Sequence, residues 1–583
     1  MPILEARIES FRYFAAIESS LNHIELDVEP GEFVLITGPA GGGKTTLCYA
    51  LTGVIPHSIE GEYQGQVKIS GQELNHLRLA QISKLCGFVL QSPEYQLFNL
   101  SVKDDVAFGP ENLLLPPGEV LERIADALQQ VGLQGFEDRN SDLLSGGQMQ
   151  RVVLACILAM HSDLLVLDQP AAELDPIGRR QIYENLLRLN QEQGKTMIVV
   201  EDRLSEVVDY ASRIVLLEGG KIVRMAEPTA FFADRSVFTS GLRIPAPVRL
   251  HYYLESHGYE PGPLDLNIAD TAERYQQLLN GRGNVVQAEP QVEAAPPATS
   301  PIIQIENLSH TYPNGHSALS GVSLIIQPGD FVAIVGENGA GKTTLARHLI
   351  GLIQPTIGRI ILQGKDIAGL STARLSDQVG YLFQDPDYQI FSNSVFDEVA
   401  FALKIRKAPK AEIDERVTTI LEELNLADYR DVHPYRLSRG QRQRLALASI
   451  FVHNPPILVV DEPSTGLDYG ETLDIMEMLV ERNHLGTTTL FITHDIEMVL
   501  RYSRRSVVIS GGQIRLDVPT AELHHHLDSL DTAGILIPDQ FELLKALNLH
   551  TTLSSMHELG DLILATQAKE PGGQLQKGGG NIK

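Results

Sequence analysis

Four motifs occur twice in this chain, in the same order, and this repetition limits the folds that the chain can adopt. The first copy contains "GPAGGGKTT", "LQSPEYQLF", "LSGGQ" and "LLVLDQPAAELD", and the second contains "GENGAGKTT", "FQDPDYQIF", "LSRGQ" and "ILVVDEPSTGLD". From the second motif onward, matching positions are 293 residues apart, as in the pairs 91 and 384, 145 and 438, and 168 and 461. A constant separation over three motifs indicates an internal duplication. The sequence therefore predicts two copies of one α/β domain.

The first motif of each copy follows a short apolar run and precedes a helical pattern, which is the context of a phosphate-binding loop. Glycines let backbone N–H groups surround a β-phosphate, and the following helix adds its positive N-terminal dipole. Lys44 and Lys342 are predicted to reach the β- and γ-phosphates, and Thr45 and Thr343 to coordinate Mg²⁺. The other predicted ATP-binding residues of the two loops are Gly38, Gly41, Gly43 and Thr46, and Gly336, Gly339, Gly341 and Thr344.

The fourth motif of each copy begins with a continuous apolar run, "LLVLD" or "ILVVD". Such runs are typical of a central parallel strand that is buried on both faces. Each run ends in an aspartate, Asp168 or Asp461, at the carboxyl end of the strand, where doubly wound sheets bind their ligands. We predict that both aspartates face the Mg²⁺ ion; the alternative is that each of them caps a helix.

The two copies differ at the residues that would act on the γ-phosphate. The metal aspartate is followed by Glu462 in the second copy and by Gln169 in the first, and only the carboxylate can accept a proton from water. An amide can still orient water, so Gln169 alone does not predict inactivity. At the end of the next apolar run, the second copy has His494 and the first has Asp202. A histidine can donate to the γ-phosphate, whereas an aspartate repels it, so we predict a hydrolytic second site and a degenerate first site.

Composition restricts the classes of protein to which this chain can belong. A chain of 583 residues is too long to fold around one hydrophobic core. Of its residues, 43% are apolar and 21% are charged, as in ordinary globular proteins. No apolar run approaches the roughly 18 residues that cross a bilayer, and we expect no signal peptide and a cytosolic protein. The net charge of −27 repels nucleic acids and anionic lipids, so work at a membrane would require a partner protein. Three isolated cysteines predict neither a metal cluster nor disulfides.

The segments between and after the motifs complete the predicted organisation. A stretch rich in Pro, Ala and Glu separates the two copies, and each copy is followed by a proline-started amphipathic helix, "LRIPAPVRLHYYL" or "ILIPDQFELLKAL". The predicted segments are a first phosphate-loop domain at 1–240, a helical addition at 241–280, a linker at 281–301, a second phosphate-loop domain at 302–525, a second helical addition at 526–568 and a disordered tail at 569–583.

With these motifs together, the chain resembles a tandem ABC-type ATPase over residues 1–230 and 302–520. The "LSxGQ" motif is the most specific element, and it reads physically as a serine N-cap that opens an apolar helix. The resemblance implies two P-loop NTPase domains, each with a mostly parallel sheet core, an antiparallel β subdomain and a helical subdomain that carries "LSxGQ". It also implies that the two domains pair head to tail within the chain, with ATP between the phosphate loop of one and the "LSxGQ" of the other.

The same resemblance assigns roles to individual residues. Tyr13 and Tyr312 look like the aromatic residues that stack on adenine, with core packing as the alternative. Gln91 and Gln384 look like the glutamines that join the metal site to the helical subdomain. One implied site combines Lys44, Asp168, Gln169 and Asp202 with Ser438 and Gly440, and the other combines Lys342, Asp461, Glu462 and His494 with Ser145 and Gly147. The implied catalytic residues are Glu462, His494, Gln384 and Lys342, and the implied Mg²⁺ residues are Thr45, Gln91, Asp168, Thr343, Gln384 and Asp461.

The segments around the two glutamines resemble most closely the ATPases of energy-coupling factor (ECF) importers in a fused two-domain form. This resemblance implies a transmembrane coupling subunit and a small membrane substrate-binding subunit as partners, a micronutrient as the transported substrate, and a peripheral position on the cytoplasmic side of the cell membrane. A tandem ATPase of another importer, such as one for sugars, is the nearest alternative. An ABC protein acting on ribosomes or DNA is a further alternative, against which the acidic charge and the short linker argue.

Overall fold

The computed structural model describes residues 1–14, 16, 18–90, 95–144, 146–171, 174, 176–279, 300–313, 315–337, 339–465, 467, 469–549 and 555–567. The chain divides into two compact units, residues 1–281 with 555–583, and residues 282–554. Most of the linker predicted at 281–301 and all of the tail predicted at 569–583 lie outside the described residues.

The strands of the first unit form two sheets. Their bounds are β1 (Leu4–Tyr13), β2 (Leu21–Val28), β3 (Phe33–Thr37), β4 (Gly61–Ile69), β5 (Gln72–Glu73), β6 (Cys86–Val89), β7 (Leu164–Asp168), β8 (Thr196–Val200), β9 (Arg213–Glu218) and β10 (Lys221–Ala226). An antiparallel sheet has the order β2-β1-β4-β5, and a larger sheet has the order β10-β9-β3-β8-β7-β6, parallel except for β10. The apolar runs of the phosphate loop and of Asp168 thus form β3 and β7, two parallel strands inside the larger sheet with β8 between them.

The helices of the first unit cover the larger sheet. Their bounds are α1 (Lys44–Leu51), α2 (Val54–His57), α3 (Leu79–Leu85), α4 (Val102–Asn112), α5 (Pro117–Gln130), α6 (Gly146–Leu158), α7 (Pro176–Gln193), α8 (Pro228–Phe232), α9 (Ala246–Ser256) and α10 (Ile268–Leu279). Strand β3 separates two apolar cores because its side chains alternate between its faces. Val34 and Ile36 pack with the antiparallel sheet, and Phe33 and Leu35 pack with the helices α4 to α6 and their neighbours.

The second unit repeats this topology. Its strands are β11 (Ile303–Thr311), β12 (Ser317–Ile326), β13 (Phe331–Val335), β14 (Ile357–Leu362), β15 (Lys365–Asp366), β16 (Val379–Leu382), β17 (Ile457–Asp461), β18 (Thr488–Thr493), β19 (Arg505–Ser510) and β20 (Gln513–Pro519). The sheet orders are β12-β11-β14-β15 and β16-β17-β18-β13-β19-β20. Its helices are α11 (Lys342–Leu349), α12 (Thr372–Leu375), α13 (Val395–Ile405), α14 (Lys410–Glu423), α15 (Arg439–Phe451), α16 (Tyr469–His484), α17 (Ile496–Tyr502), α18 (Leu527–Thr532) and α19 (Asp539–Ala546). The predicted fold class, with its parallel core, antiparallel sheet and helical part, is confirmed in both units.

The last described helix, α20 (Met556–Gln567), belongs to the first unit and packs against α9 and α10. Its buried face consists of Met556, Leu559 and Ile563, and the Tyr253 hydroxyl of α9 donates to Asp561 Oδ1 at 2.6 Å. The helical addition predicted at 526–568 is therefore divided, because the apolar face of its last helix is buried in the first unit while α18 and α19 stay in the second.

We expect Gly560→Leu to destabilise the first unit, because a Cβ at Gly560 would lie 2.3 Å from Cδ1 of the Tyr253 ring. Overpacking of this kind costs about 1–3 kcal/mol in free energy of unfolding. Gly118→Leu in α5 is the matched control, since a Cβ at Gly118 meets no atom within 4 Å. Scanning calorimetry should show a lower unfolding temperature for Gly560→Leu only; equal shifts for both variants would contradict the packing of α20.

Candidate functional site

Each phosphate loop leads directly from a buried central strand into a helix, as predicted. Helix α1 begins at Lys44 after Gly43 with φ of 96°, and helix α11 begins at Lys342 after Gly341 with φ of 102°. This left-handed backbone favours glycine, and the space excludes any side chain. A Cβ would lie 2.5 Å from the Ser20 carbonyl oxygen at Gly43, and 2.4 Å from the Ala318 carbonyl oxygen at Gly341.

Both loop lysines are buried and fold back over their own loops. Lys342 Nζ donates to the carbonyl oxygens of Gly336 at 2.8 Å and Glu337 at 3.0 Å. Lys44 Nζ donates to the carbonyl oxygens of Gly38 and Pro39. Burial lowers the pKa of Lys342, an effect that the neighbouring carboxylates of Glu462, Asp461 and Glu337 oppose. A cation in each loop is thus placed to meet phosphate oxygens.

The predicted adenine-stacking tyrosines lie beside these loops in both units. The Tyr13 hydroxyl is 3.1 Å from Thr46 Oγ1, and the Tyr312 hydroxyl is 3.1 Å from Thr344 Oγ1. The equal distances mean that each ring is held at the first turn of the helix that follows the loop. Both tyrosines therefore lie where a nucleotide on the loop could reach them.

Hard oxygen ligands that suit Mg²⁺ meet at the carboxyl end of β17. Thr343 Oγ1 donates to Asp461 Oδ1 at 3.2 Å, and burial raises the pKa of Asp461. In the first unit, burial raises the pKa of Asp168 to about 6, against the opposing effects of Thr45 and Lys44. A bound divalent cation would favour the ionised form of both carboxyl groups. The residues present therefore fit the predicted metal.

In the second unit, Glu462 and His494 form one hydrogen-bonded pair beside Lys342. His494 Nδ1 is 2.9 Å from Glu462 Oε2, and Lys342 Nζ is 4.0 Å from Glu462 Oε1. Burial alone would raise the pKa of Glu462, but His494 and Lys342 together hold this pKa below its ordinary value. Glu462 adopts a left-handed backbone with φ of 49°, which few residues other than glycine tolerate. An ionised carboxylate held here can polarise a water molecule.

In the first unit, the matching pair is Gln169 and Asp202, and it contacts the loop lysine. Gln169 has the same backbone conformation, with φ of 48°, and its Nε2 donates to Asp202 Oδ2 at 2.7 Å. Asp202 Oδ1 is 3.1 Å from Lys44 Nζ. Glu201 holds this loop, since its Oε1 accepts from the backbone N–H groups of Asp202 at 2.8 Å and Arg203 at 3.0 Å. The sequence indicated repulsion of a γ-phosphate by Asp202, but its ion pair with Lys44 was not predicted.

An open cleft of about 360 Å³ lies at the phosphate loop of the second unit and brings together many of the predicted residues, but Asp461 and His494 do not line it. Its lining residues are Tyr312, His316, Ala318, Gly339, Gly341, Lys342, Thr343, Thr344, Gln384 and Glu462. His316 was missed because it belongs to no motif. The predicted Gln91 of the first unit lies outside the described residues.

Comparisons with known proteins agree with this geometry. The family model "ABC transporter" matches residues 21–172 and 319–465. A protein of Methanosarcina mazei named as an ABC transporter ATP-binding protein is 41% identical, over 91% of this chain and 92% of its own length. This chain belongs to the ABC transporter ATP-binding proteins. It carries two ABC ATPase domains and is an ATPase.

Another relative and a solved structure also match this chain. An ABC transporter ATP-binding protein of Caldanaerobacter subterraneus is 36% identical, over 87% of this chain and 90% of its own length. The solved structure of cbiO1 from Clostridium perfringens, described as part of the ABC transporter complex cbiONQ, is 34% identical. It covers 42% of this chain and 99% of its own length, with a TM-score of 0.38.

The "LSRGQ" motif of this ABC ATPase opens α15 in the way that its sequence predicts. Ser438 is the N-cap: its Oγ accepts from the Gln441 N–H at 3.2 Å, and Gln441 Oε1 accepts from the Ser438 N–H at 2.9 Å. Gly440 is buried against α16, where a Cβ would lie 2.1 Å from Glu471 Oε1. In the other copy, Gly147 lies on α6 and Ser145 lies outside the described residues.

The structure contains no helix, among the residues described, that is both long enough and apolar enough to cross a membrane.

Proposed function

We propose that this protein is the ATP-hydrolysing subunit of an ECF-type importer, and that it drives uptake of a micronutrient through a membrane coupling protein. The supporting observation is a pair of exposed aromatic side chains that follows the glutamine segment in each unit. Phe98 is 64% and Phe108 48% exposed in the first unit, and Phe391 is 60% and Phe401 41% exposed in the second. Exposed apolar clusters of this kind are typical of surfaces that bind another protein.

These aromatic pairs are built in the same way in both units. The rings of Phe98 and Phe108 pack edge to face with centroids 4.7 Å apart, and those of Phe391 and Phe401 pack with centroids 4.6 Å apart. Edge-to-face packing at this separation is favourable, so each pair presents one preformed apolar surface.

A buried carboxylate fixes the loop that carries each outer phenylalanine. Asp105 Oδ1 accepts from the Phe98 N–H at 3.1 Å, and Glu398 Oε2 accepts from the Phe391 N–H at 3.0 Å. Each of these carboxylates lies on the helix that also carries the inner phenylalanine, α4 or α13. A preorganised surface loses little entropy on binding, which suits a rigid partner such as a helical segment of a membrane protein.

In this proposal the two ATP sites have different tasks. In the second unit, Thr343 and Asp461 would hold Mg²⁺ with Gln384 beside them, and the ion would neutralise charge on the phosphates. Glu462 would polarise the attacking water, and His494 would donate to the γ-phosphate. Lys342 binds the β- and γ-phosphates. The first unit binds ATP through Lys44 and Thr45, but Gln169 and Asp202 leave it without a general base. The protein would work peripherally, at the cytoplasmic side of the cell membrane.

The experiment is capture of the tagged protein from solubilised native membranes, followed by mass spectrometry. A polytopic membrane protein together with a small, very apolar membrane protein is the expected result. The variant Phe98→Asp with Phe391→Asp should lose both partners, whereas Leu485→Asp should keep them. Leu485 is the matched control because it is 71% exposed but lies before β18, at the other end of the strand from His494. Recovery of ribosomal proteins, or of no membrane protein, would overturn the proposal.

A further inference from the structure

The metal aspartates of the two units differ in their hydrogen-bond partners. In the second unit the Tyr381 hydroxyl donates to Asp461 Oδ2 at 2.9 Å, while Thr343 holds Oδ1 at 3.2 Å. Both oxygens of this carboxylate are therefore fixed. In the first unit Oδ2 of Asp168 is buried and has no hydrogen-bond partner among the residues that the structure describes.

The difference arises from one residue on the strand beside each aspartate. Tyr381 lies opposite Val459 where β16 pairs with β17, and Phe88 lies opposite Val166 where β6 pairs with β7. The two positions correspond in the duplicated fold, so the first unit has a phenyl ring where the second has a phenol. Without the hydroxyl, the strand next to Asp168 offers its carboxylate no donor from this position.

Tyr381 is held firmly enough to act as a fixed donor. Its side chain is buried, and its ring packs edge to face on Phe383 with centroids 4.7 Å apart. The hydroxyl is therefore held where it donates its hydrogen bond to Asp461.

We propose that Tyr381 is a positioning residue for Mg²⁺ in the second unit: its hydrogen bond to Oδ2 keeps Oδ1 of Asp461 turned towards Thr343 and the metal. The inference rests on the proposed Mg²⁺ role of these two residues. Mutating a residue that hydrogen-bonds to a metal ligand typically reduces metal affinity about 10- to 100-fold, because that hydrogen bond fixes the orientation of the ligand and its charge. The absence of such a partner at Asp168 makes the first unit the weaker metal site.

The test compares nucleotide affinity with and without metal in the full chain. The substitution Lys44→Ala is present in every protein, so the first site is the same in all of them and differences between them report the second site. AMP-PNP replaces ATP so that no hydrolysis occurs. Calorimetry then gives the dissociation constant in excess Mg²⁺ and in EDTA for three proteins: the Lys44→Ala parent, the same with Tyr381→Phe, and the same with Tyr502→Phe. Tyr502 is the matched control, because its hydroxyl is buried without a hydrogen-bond partner among the described residues.

We expect Tyr381→Phe to weaken AMP-PNP binding about tenfold in Mg²⁺ and to leave binding in EDTA unchanged. Tyr502→Phe should match the parent in both conditions. If the parent binds AMP-PNP with the same dissociation constant in Mg²⁺ and in EDTA, the proposed metal site is overturned. If the parent binds more tightly in Mg²⁺ and Tyr381→Phe binds equally tightly, only the role of Tyr381 is overturned and the metal site stands. An equal loss in Mg²⁺ and in EDTA would also overturn it, since that result indicates a structural effect.

Discussion

Replacing Glu462 with glutamine is expected to reduce ATP turnover of the full chain by about 10²- to 10⁴-fold, the range that loss of a general base commonly costs. The amide keeps the size of the side chain and can still accept from His494 at the present 2.9 Å, so the site should keep its shape. It cannot accept a proton from water. Steady-state phosphate release should therefore fall while ATP affinity is retained.

Gln169→Ala is the matched substitution in the first unit. Gln169 occupies the same strand-end position with the same left-handed backbone, but it donates to Asp202 and has no carboxylate to lose. Turnover should therefore change only modestly. Comparable losses from Glu462→Gln and Gln169→Ala would contradict the asymmetry between the two ATP sites.

The parts of the site that could be predicted are those encoded within one short segment. A phosphate loop needs its glycines, lysine and threonine in one order, so the positions of Lys342 and Thr343 follow from nine residues. Strand ends are equally local: a five-residue apolar run that ends in aspartate places Asp461 at the carboxyl edge of a parallel sheet, because such runs are buried on both faces. The duplication then supplied the comparison that distinguishes Glu462 from Gln169.

The parts that could not be predicted depend on contacts between distant segments. The hydrogen bond from Tyr381 to Asp461 spans 80 residues, and nothing in the spacing of either motif requires it. The ion pair between Lys44 and Asp202 depends on how the loop after β8 is held by Glu201. Helix α20 is amphipathic in sequence, but its packing partner in α9 lies 308 residues away, as measured from Tyr253 to Asp561. Periodicity identifies a buried face without identifying what covers it.

Replacing Lys342 with alanine should cost far more than replacing Lys44. Lys342 is 6% exposed, and its nearest carboxylate, on Glu462, is 4.0 Å away, so its charge is available to phosphate oxygens. Loss of such an electrostatic contact typically costs about 10²- to 10³-fold in turnover. Lys44 already has the Asp202 carboxylate at 3.1 Å, and a γ-phosphate would have to displace it. Phosphate release and ATP binding, measured for both variants, should show the larger loss for Lys342→Ala.

A double-mutant cycle separates this explanation from a general difference between the two units. Asp202→Asn removes the charge that neutralises Lys44 and leaves a side chain of similar size. Every protein in the cycle carries Lys342→Ala, so that the measured ATP affinity is that of the first site. In the Asp202→Asn background, Lys44→Ala should then reduce this affinity more than it does when Asp202 is present. Residues in direct contact typically show coupling energies of about 0.5–3 kcal/mol. Equal costs in both backgrounds would mean that the Asp202 carboxylate does not reduce the contribution of Lys44 to ATP binding.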